Sequence, residues 1–273
     1  METTRPGHTE QPQRPCQSET VRRALDGAVE FRHFAGFDQL FAPHAHDYPV
    51  IGLAREGHRV MECNRRRYLL GPGQLLVLNP GDAHGCIQEG AVPLVYDSLA
   101  LLGLPDCPPL AGPLVVDAEA IALMEDAVEL IQAPIVDEGR LEEAIYLLIG
   151  SLAAADRAEP RTTAAHAMAA YLRRHASETV RLEEVAAAAG LDKYRALRSF
   201  TASFGLTPMR YLASLRVESA REALAGGASC AEAALAAGFS DQAHMTRAFK
   251  ERLGMTPGFY QRAIAASPQQ VRP

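Results

Sequence analysis

One stretch of this chain is written twice. Gly190-Leu191-Asp192, Leu197-Arg198-Ser199-Phe200 and Phe204-Gly205-Leu206-Thr207-Pro208 return as Gly238-Phe239-Ser240, Thr246-Arg247-Ala248-Phe249 and Leu253-Gly254-Met255-Thr256-Pro257. Arg198 and Arg247, Phe200 and Phe249, Gly205 and Gly254, and Pro208 and Pro257 each stand 49 residues apart, whereas Gly190 and Gly238 stand 48 apart. A repeat of this length means one supersecondary unit used twice. Its internal period is helical, and each copy reads as a helix-turn-helix. In the first, a short helix beginning at Leu182 ends at Gly190, a residue suited to a left-handed turn. Asp192 then caps a helix from Lys193 to Phe204, which Gly205 and Pro208 stop. In the second, a helix over 231–235 ends at Gly238, and Ser240 is expected to cap a helix over 241–253. Ala196, Phe200 and Phe204, and likewise Met245, Phe249 and Leu253, fall on inward faces. The outer faces then carry Lys193, Tyr194, Arg195 and Arg198 in one copy, and Asp241, Gln242, His244, Thr246, Arg247 and Lys250 in the other.

Charged helix faces are ordinarily solvated surface, so the charge balance matters. The whole chain has a formal net charge of −6. From Ala165 to Pro273, however, there are 14 Lys and Arg against 9 Asp and Glu, a net of +5. The other 164 residues carry 13 against 24, a net of −11. The basic half is therefore the half to offer to a polyanion. Arg, Gln, His and Thr are side chains that read base edges or hold phosphates, and two such faces in tandem point to double-stranded DNA.

The run from Gly238 to Lys250, followed by Gly254-Met255-Thr256-Pro257-Gly258-Phe259-Tyr260, resembles the signature of the AraC/XylS family of bacterial transcription regulators. The likeness covers about 163–262. Met245 stands where an aromatic residue is commoner, and Gln261 precedes Arg262 where an immediate Arg is frequent. The resemblance implies two helix-turn-helix units joined by a long helix, here from Met209 to about Leu224, with Tyr211, Leu212, Leu215 and Leu224 buried. Two recognition helices would enter successive major grooves about 34 Å apart. It also implies a homodimer acting on a promoter, with activation through RNA polymerase.

The acidic half has a different texture. Short apolar runs at Val50-Ile51-Gly52-Leu53, Tyr68-Leu69-Leu70 and Leu75-Leu76-Val77-Leu78 are cut by turn signals such as Glu56-Gly57, Asn64-Arg65 and Gly71-Pro72-Gly73. Such spacing means an antiparallel sandwich or small barrel. His44-Ala45-His46, then Asn79-Pro80-Gly81-Asp82-Ala83-His84, resembles the two motifs of the cupin double-stranded β-helix. Metal-binding cupins carry a Glu about four residues after the first motif, and here that place is Val50. His44, His46 and His84 are expected to line a small-molecule effector pocket. A zinc, iron or nickel ion held by the three imidazoles is the less favoured alternative, and no cofactor is required. Asp47 is a candidate for fixing one imidazole tautomer.

The expected organisation is α+β in two domains. Residues 1–27 form a loose tail, 28–116 a cupin-like effector-binding barrel, 117–160 a helical linker, 163–262 the tandem helix-turn-helix domain, and 263–273 a second tail. In the linker, Ile121, Met124, Val128 and Ile131, and then Leu141, Ile145, Leu148 and Leu152, form apolar stripes that either pack on the barrel or make a dimer seam. Arg65-Arg66-Arg67 reads as a solvated hairpin. Five scattered cysteines and the lack of an apolar run of about 18–20 residues argue for a cytoplasmic protein with no membrane span. The expectation is a DNA-binding regulator, not an enzyme. The rival is a cupin-type metalloenzyme or metal-dependent sensor fused to a DNA-binding module.

Overall fold

Leu75-Leu76-Val77-Leu78 is buried at every position, and that run shows how the N-terminal half is layered. The computed structural model describes residues 18–37, 41–89, 92–104, 107–154 and 163–266. Among these residues ten strands form two antiparallel sheets. One has the order β1 (Ser18–Ala24), β2 (Val29–Phe37), β9 (Leu94–Leu101), β4 (Val50–Glu56), β7 (Leu75–Leu78) and β10 (Leu114–Val115). The other has the order β3 (Phe41–His44), β8 (His84–Glu89), β5 (His58–Cys63) and β6 (Arg66–Leu70). Alternate residues of β7 serve the two faces of its sheet. Leu76 and Leu78 join Ala54, Met61, Cys63 and Leu70 between the sheets. Leu75 and Val77 point to the outer face with Ile51, Leu53 and Leu99.

That outer face is covered by α1 (Ala118–Gln132) and α2 (Glu138–Leu152). Met124, Val128 and Ile131 from one, and Leu141, Ile145, Leu148 and Leu152 from the other, are buried against the sheet. Each such side chain contributes on the order of 1.5–3 kcal/mol. The stripes therefore pack on the barrel of their own chain and are not available as a dimer seam. Asp117 caps α1, accepting from the Ala120 N–H, as its sequence position predicts, and Asp137 does the same for α2.

Three further expectations need correction. Residues 18–27 are not tail: Ser18–Ala24 pairs along its length with β2, and Val21 and Ala24 are buried. Arginines hid this strand, because their partners lie far along the chain. Arg22 donates to the carbonyls of Ile131, Gln132 and Ala133 at the end of α1, and Arg23 pairs with Glu30 and Glu222. The Arg65 hairpin is not merely solvated, since Arg65 donates to the Ala202 carbonyl at 3.1 Å. Ala263 to Ala265 complete the last helix instead of opening a tail. Residues 1–17 and 267–273 lie outside the described residues.

The C-terminal half is helical: α3 (Thr163–Arg174), α4 (Leu182–Ala187), α5 (Lys193–Phe204), α6 (Pro208–Ala225), α7 (Cys230–Ala236), α8 (Gln242–Leu253) and α9 (Pro257–Ala265). The repeat is explicit here. α5 and α8 have 12 residues each, and each ends at a left-handed glycine, Gly205 (φ 68°) or Gly254 (φ 80°). The cap of α8 is Asp241, not Ser240; its Oδ1 accepts from the His244 N–H at 2.7 Å. Ser240 is the extra turn residue that makes the glycine spacing 48, so Asp241 corresponds to Asp192, which caps α5 in the same way. The apolar faces of α5 and α8 are both buried, one around Tyr211 and Leu212 and the other around Val217, Leu224 and Tyr260. Among the described residues no helix is long and apolar enough to cross a membrane.

A pocket between a histidine cluster and a recognition unit

The candidate DNA-reading residues lie where the repeat put them. Lys193, Tyr194, Arg195 and Arg198 are all exposed on α5. On α8, Gln242, Arg247 and Lys250 are exposed, whereas His244 and Thr246 are half-buried. Three of the proposed contacts already have local duties. Asp241 is the helix cap, His244 Nδ1 lies 3.2 Å from the Ser240 hydroxyl, and the Thr246 hydroxyl donates to the Gln242 carbonyl at 2.8 Å.

Inside the barrel, His44, His46 and His84 converge. Ring centroids are 4.2 Å apart for His44 and His84, 4.8 Å for His44 and His46, and 5.1 Å for His46 and His84. The two residues of the first motif do not share a strand, because β3 stops at His44 and His46 follows in the loop. Antiparallel pairing of β3 with β8 sets His44 directly opposite His84. Burial, reinforced by the neighbouring imidazoles, lowers the His44 pKa well below the ordinary value and lowers that of His84 to about 3. Both rings are therefore neutral at physiological pH.

The cluster lines a half-open pocket. Its wall is mainly apolar, with Phe34, Phe41, Leu76, Leu78 and Tyr96, and it also carries Arg59 and Arg252. Arg252 and Leu253 are the last residues of α8, so the second recognition helix forms part of the pocket. Arg252 is 8% exposed, and its Nε has no hydrogen-bond partner.

Asp47 does not serve the histidines. It binds Arg173 of α3 through two hydrogen bonds of 3.0 Å and accepts from the Tyr211 hydroxyl at 3.0 Å. The carboxylate that does touch the cluster is Glu218 of α6: His46 Nδ1 lies 3.2 Å from its Oε1, and the Tyr48 hydroxyl donates to its Oε2 at 2.8 Å. Burial would raise the Glu218 pKa, but Arg221, His46 and Tyr48 outweigh it and hold the group ionised. Nothing local in the sequence marks Glu218 or Tyr48. The only available signal was that α6 carries Glu218, Arg221 and Glu222 on one helical face, at spacings that suit docking.

A second buried cluster ties the halves together. Glu30 of β2 is fully buried and accepts from Arg23, Arg32, Arg221 and the Tyr260 hydroxyl. Burial pushes its pKa up, yet the guanidiniums of Arg221, Arg32 and Arg23 reverse the shift and hold it well below the ordinary carboxylate range.

Known proteins agree with this architecture. Residues 27–149 match the AraC-like ligand binding domain and residues 185–263 the helix-turn-helix domain. The chain is 32% identical over 250 residues to the HTH-type transcriptional regulator YbfI of Bacillus subtilis, spanning 84% of this chain and 90% of that one. It is 29% identical over 96 residues to the MmsAB operon regulatory protein of Pseudomonas aeruginosa, spanning 35% of this chain and 31% of that one. Its fold is shared with ToxT of Vibrio cholerae O395 at a TM-score of 0.59 and 9% identity, covering 88% of this chain and 99% of the other. A structure of ToxT from strain SCE256 with an unsaturated fatty acid bound superposes at a TM-score of 0.56 and 9% identity, over 95% of this chain and 100% of the other. This chain thus belongs to the AraC family of transcription regulators, with an N-terminal ligand-binding barrel and a C-terminal helix-turn-helix domain that binds DNA.

Proposed function

We propose that the chain is a cytoplasmic transcriptional activator whose barrel binds a small molecule with an apolar body and an anionic group. The carrying observation is the composition of the pocket wall: apolar side chains from the barrel, with Arg252 and Leu253 supplied by α8. An anion drawn to Arg252 would touch the recognition unit itself. Its binding free energy would then differ between docked and undocked arrangements of the domains, which is what regulation by linkage requires. The fatty-acid complex of ToxT, a protein of the same fold, supports an amphipathic acid as the ligand class. We take the pocket to bind its ligand without converting it.

Lys193, Tyr194, Arg195 and Arg198 of α5, and Gln242, His244, Arg247 and Lys250 of α8, are assigned to promoter DNA, with Asp241 and Thr246 shaping the start of α8. Activation through RNA polymerase follows from the family resemblance. A homodimer would use the outer face of α2 and the loop before it, where Tyr146, Leu147 and Ile135 are exposed.

The test is a thermal-shift series with amphipathic carboxylates and their neutral alcohol counterparts, on wild type and on Arg252→Gln, paired with promoter-binding titrations. The expected result is stabilisation by carboxylates that the alcohols do not reproduce and that Arg252→Gln removes, with promoter affinity changed by the same ligands. Equal shifts from acids and alcohols, or shifts indifferent to Arg252, would reject the anionic assignment.

A further inference from the structure

The three histidines are held as a ligand set is held. On each ring Nδ1 is engaged from outside the cluster: His44 by the Ala42 carbonyl at 2.7 Å, His84 by the Asp82 carbonyl at 2.9 Å, and His46 by Glu218 at 3.2 Å. An imidazole that donates from Nδ1 keeps its lone pair on Nε2. One nitrogen from each of the three residues lies within 4.8 Å of the others. Around a tetrahedral ion with bonds of about 2.0–2.1 Å, ligand nitrogens stand about 3.4 Å apart, so modest ring movements close the set. A cation among the three rings would satisfy Nε2 lone pairs left free in this way.

We propose that His44, His46 and His84 bind one divalent transition-metal ion, with Glu218 of the DNA-binding domain as its outer-sphere carboxylate, so that ion binding and domain docking are linked. Three imidazoles suit zinc, iron or nickel. The Glu that completes many cupin sites is replaced here by Val50, which lines the same pocket and offers no ligand atom. In that respect the proposal rests on the reading of the pocket as the effector site, because an anionic ligand could reach the ion there.

Glu218 gives the site its second role. Two side chains of the same region hold it: the Tyr48 hydroxyl at 2.8 Å and Arg221 Nε at 2.8 Å. An ion on the Nε2 of His46 draws electron density from the ring and strengthens the Nδ1–H bond to Glu218. That bond crosses from the barrel to α6, the helix joining the two helix-turn-helix units. The ion therefore favours the docked arrangement, and by reciprocity docking favours the ion.

The experiment uses the full chain, free of any affinity tag and stripped with chelator, titrated with Zn²⁺ by calorimetry and with Co²⁺ by visible absorption. The expected result is one equivalent bound, with the d–d bands of a nitrogen-ligated Co²⁺. His84→Gln removes both, and so does His46→Gln, the less buried position and the safer one for folding. Glu218→Gln keeps one equivalent but weakens it about 10–100-fold. His33→Gln, a histidine outside the cluster, leaves binding unchanged. Absence of a bound equivalent in the wild type, or wild-type binding by a folded His46→Gln, overturns the site. Wild-type affinity in Glu218→Gln overturns the link to the DNA-binding domain. A wild type that takes up no metal yet binds promoter and carboxylate ligands sinks this proposal and spares the functional reading; one that binds an equivalent of metal but neither promoter nor carboxylates does the reverse.

Discussion

Glu30→Gln is the substitution that most directly probes how the two domains are joined. The glutamine keeps the shape of the side chain but removes its charge and turns an acceptor oxygen into a donor. Around the wild-type carboxylate stand Arg23 Nε at 2.9 Å, Arg32 Nη2 at 2.6 Å, Arg221 Nη1 at 2.7 Å and the Tyr260 hydroxyl at 2.7 Å. Arg23 and Arg32 belong to the barrel; Arg221 and Tyr260 belong to the DNA-binding domain. The substitution therefore leaves three crowded guanidiniums, with Arg221 only 2% exposed on its side chain. Removing one partner of a buried ion pair costs about 3–5 kcal/mol. For a protein of this size that is a fall in Tm of roughly 6–20 °C. Scanning calorimetry should show a second effect: two transitions in place of one, because the lost partner bridges the barrel and the DNA-binding domain. A Glu30→Gln protein that melts within a degree or two of wild type, in one transition, would refute the view that this cluster fastens the domains.

Three other predictions follow from named residues. Arg195→Ala should relax specificity at one or two operator positions, with a loss of about 1–3 kcal/mol of discrimination there, whereas Lys250→Ala should weaken binding to all sequences and reduce the salt slope by about one; operator selection from random DNA decides between them, and an unchanged consensus for Arg195→Ala removes it as a base reader. Glu19 of β1 is half-buried with its Oε1 unpartnered, and desolvation raises its pKa from 4.5 to about 7. The folded protein thus holds a proton that the unfolded chain releases, so this contribution to stability is full below about pH 4.5 and is lost as pH rises through 7. Glu19→Gln should flatten that dependence and add roughly 1–3 kcal/mol above pH 7, read from denaturant midpoints; no gain there would show the group to be solvated. Gly190→Ala meets no atom within 4 Å and costs only its left-handed backbone, about 1–2 kcal/mol, whereas a Cβ at Gly238 would stand 2.6 Å from the Ser177 carbonyl oxygen. Gly238→Ala should therefore cost about 1–3 kcal/mol more, and equal losses on chemical denaturation would refute the crowding.

Much of the helical half could be read from local chemistry. A capping Asp, an inward Phe and a left-handed Gly each act within a few residues, and two copies in register left little freedom in placing α5 and α8. One slip, Ser240 for Asp241, came from matching the glycines and not the caps. The barrel was legible as a class of fold, and the histidines as a group, because strand alternation and turn residues are also local signals. The strand at Ser18–Ala24 was not, since its arginines become intelligible only with Glu30, Glu222 and the end of α1 beside them.

By itself, then, the sequence determined most of the elements and the two sets of candidate contacts, one facing DNA and one lining a pocket. The tertiary structure alone decided how those sets meet. It brought Glu218 to His46 across 172 positions of chain and Arg221 to Glu30 across 191, and it made the end of α8 a wall of the ligand cavity. The physical reason is range. Capping, helical periodicity and strand alternation are settled between neighbours, whereas a buried charge finds its counter-charge only when distant segments have already packed around it.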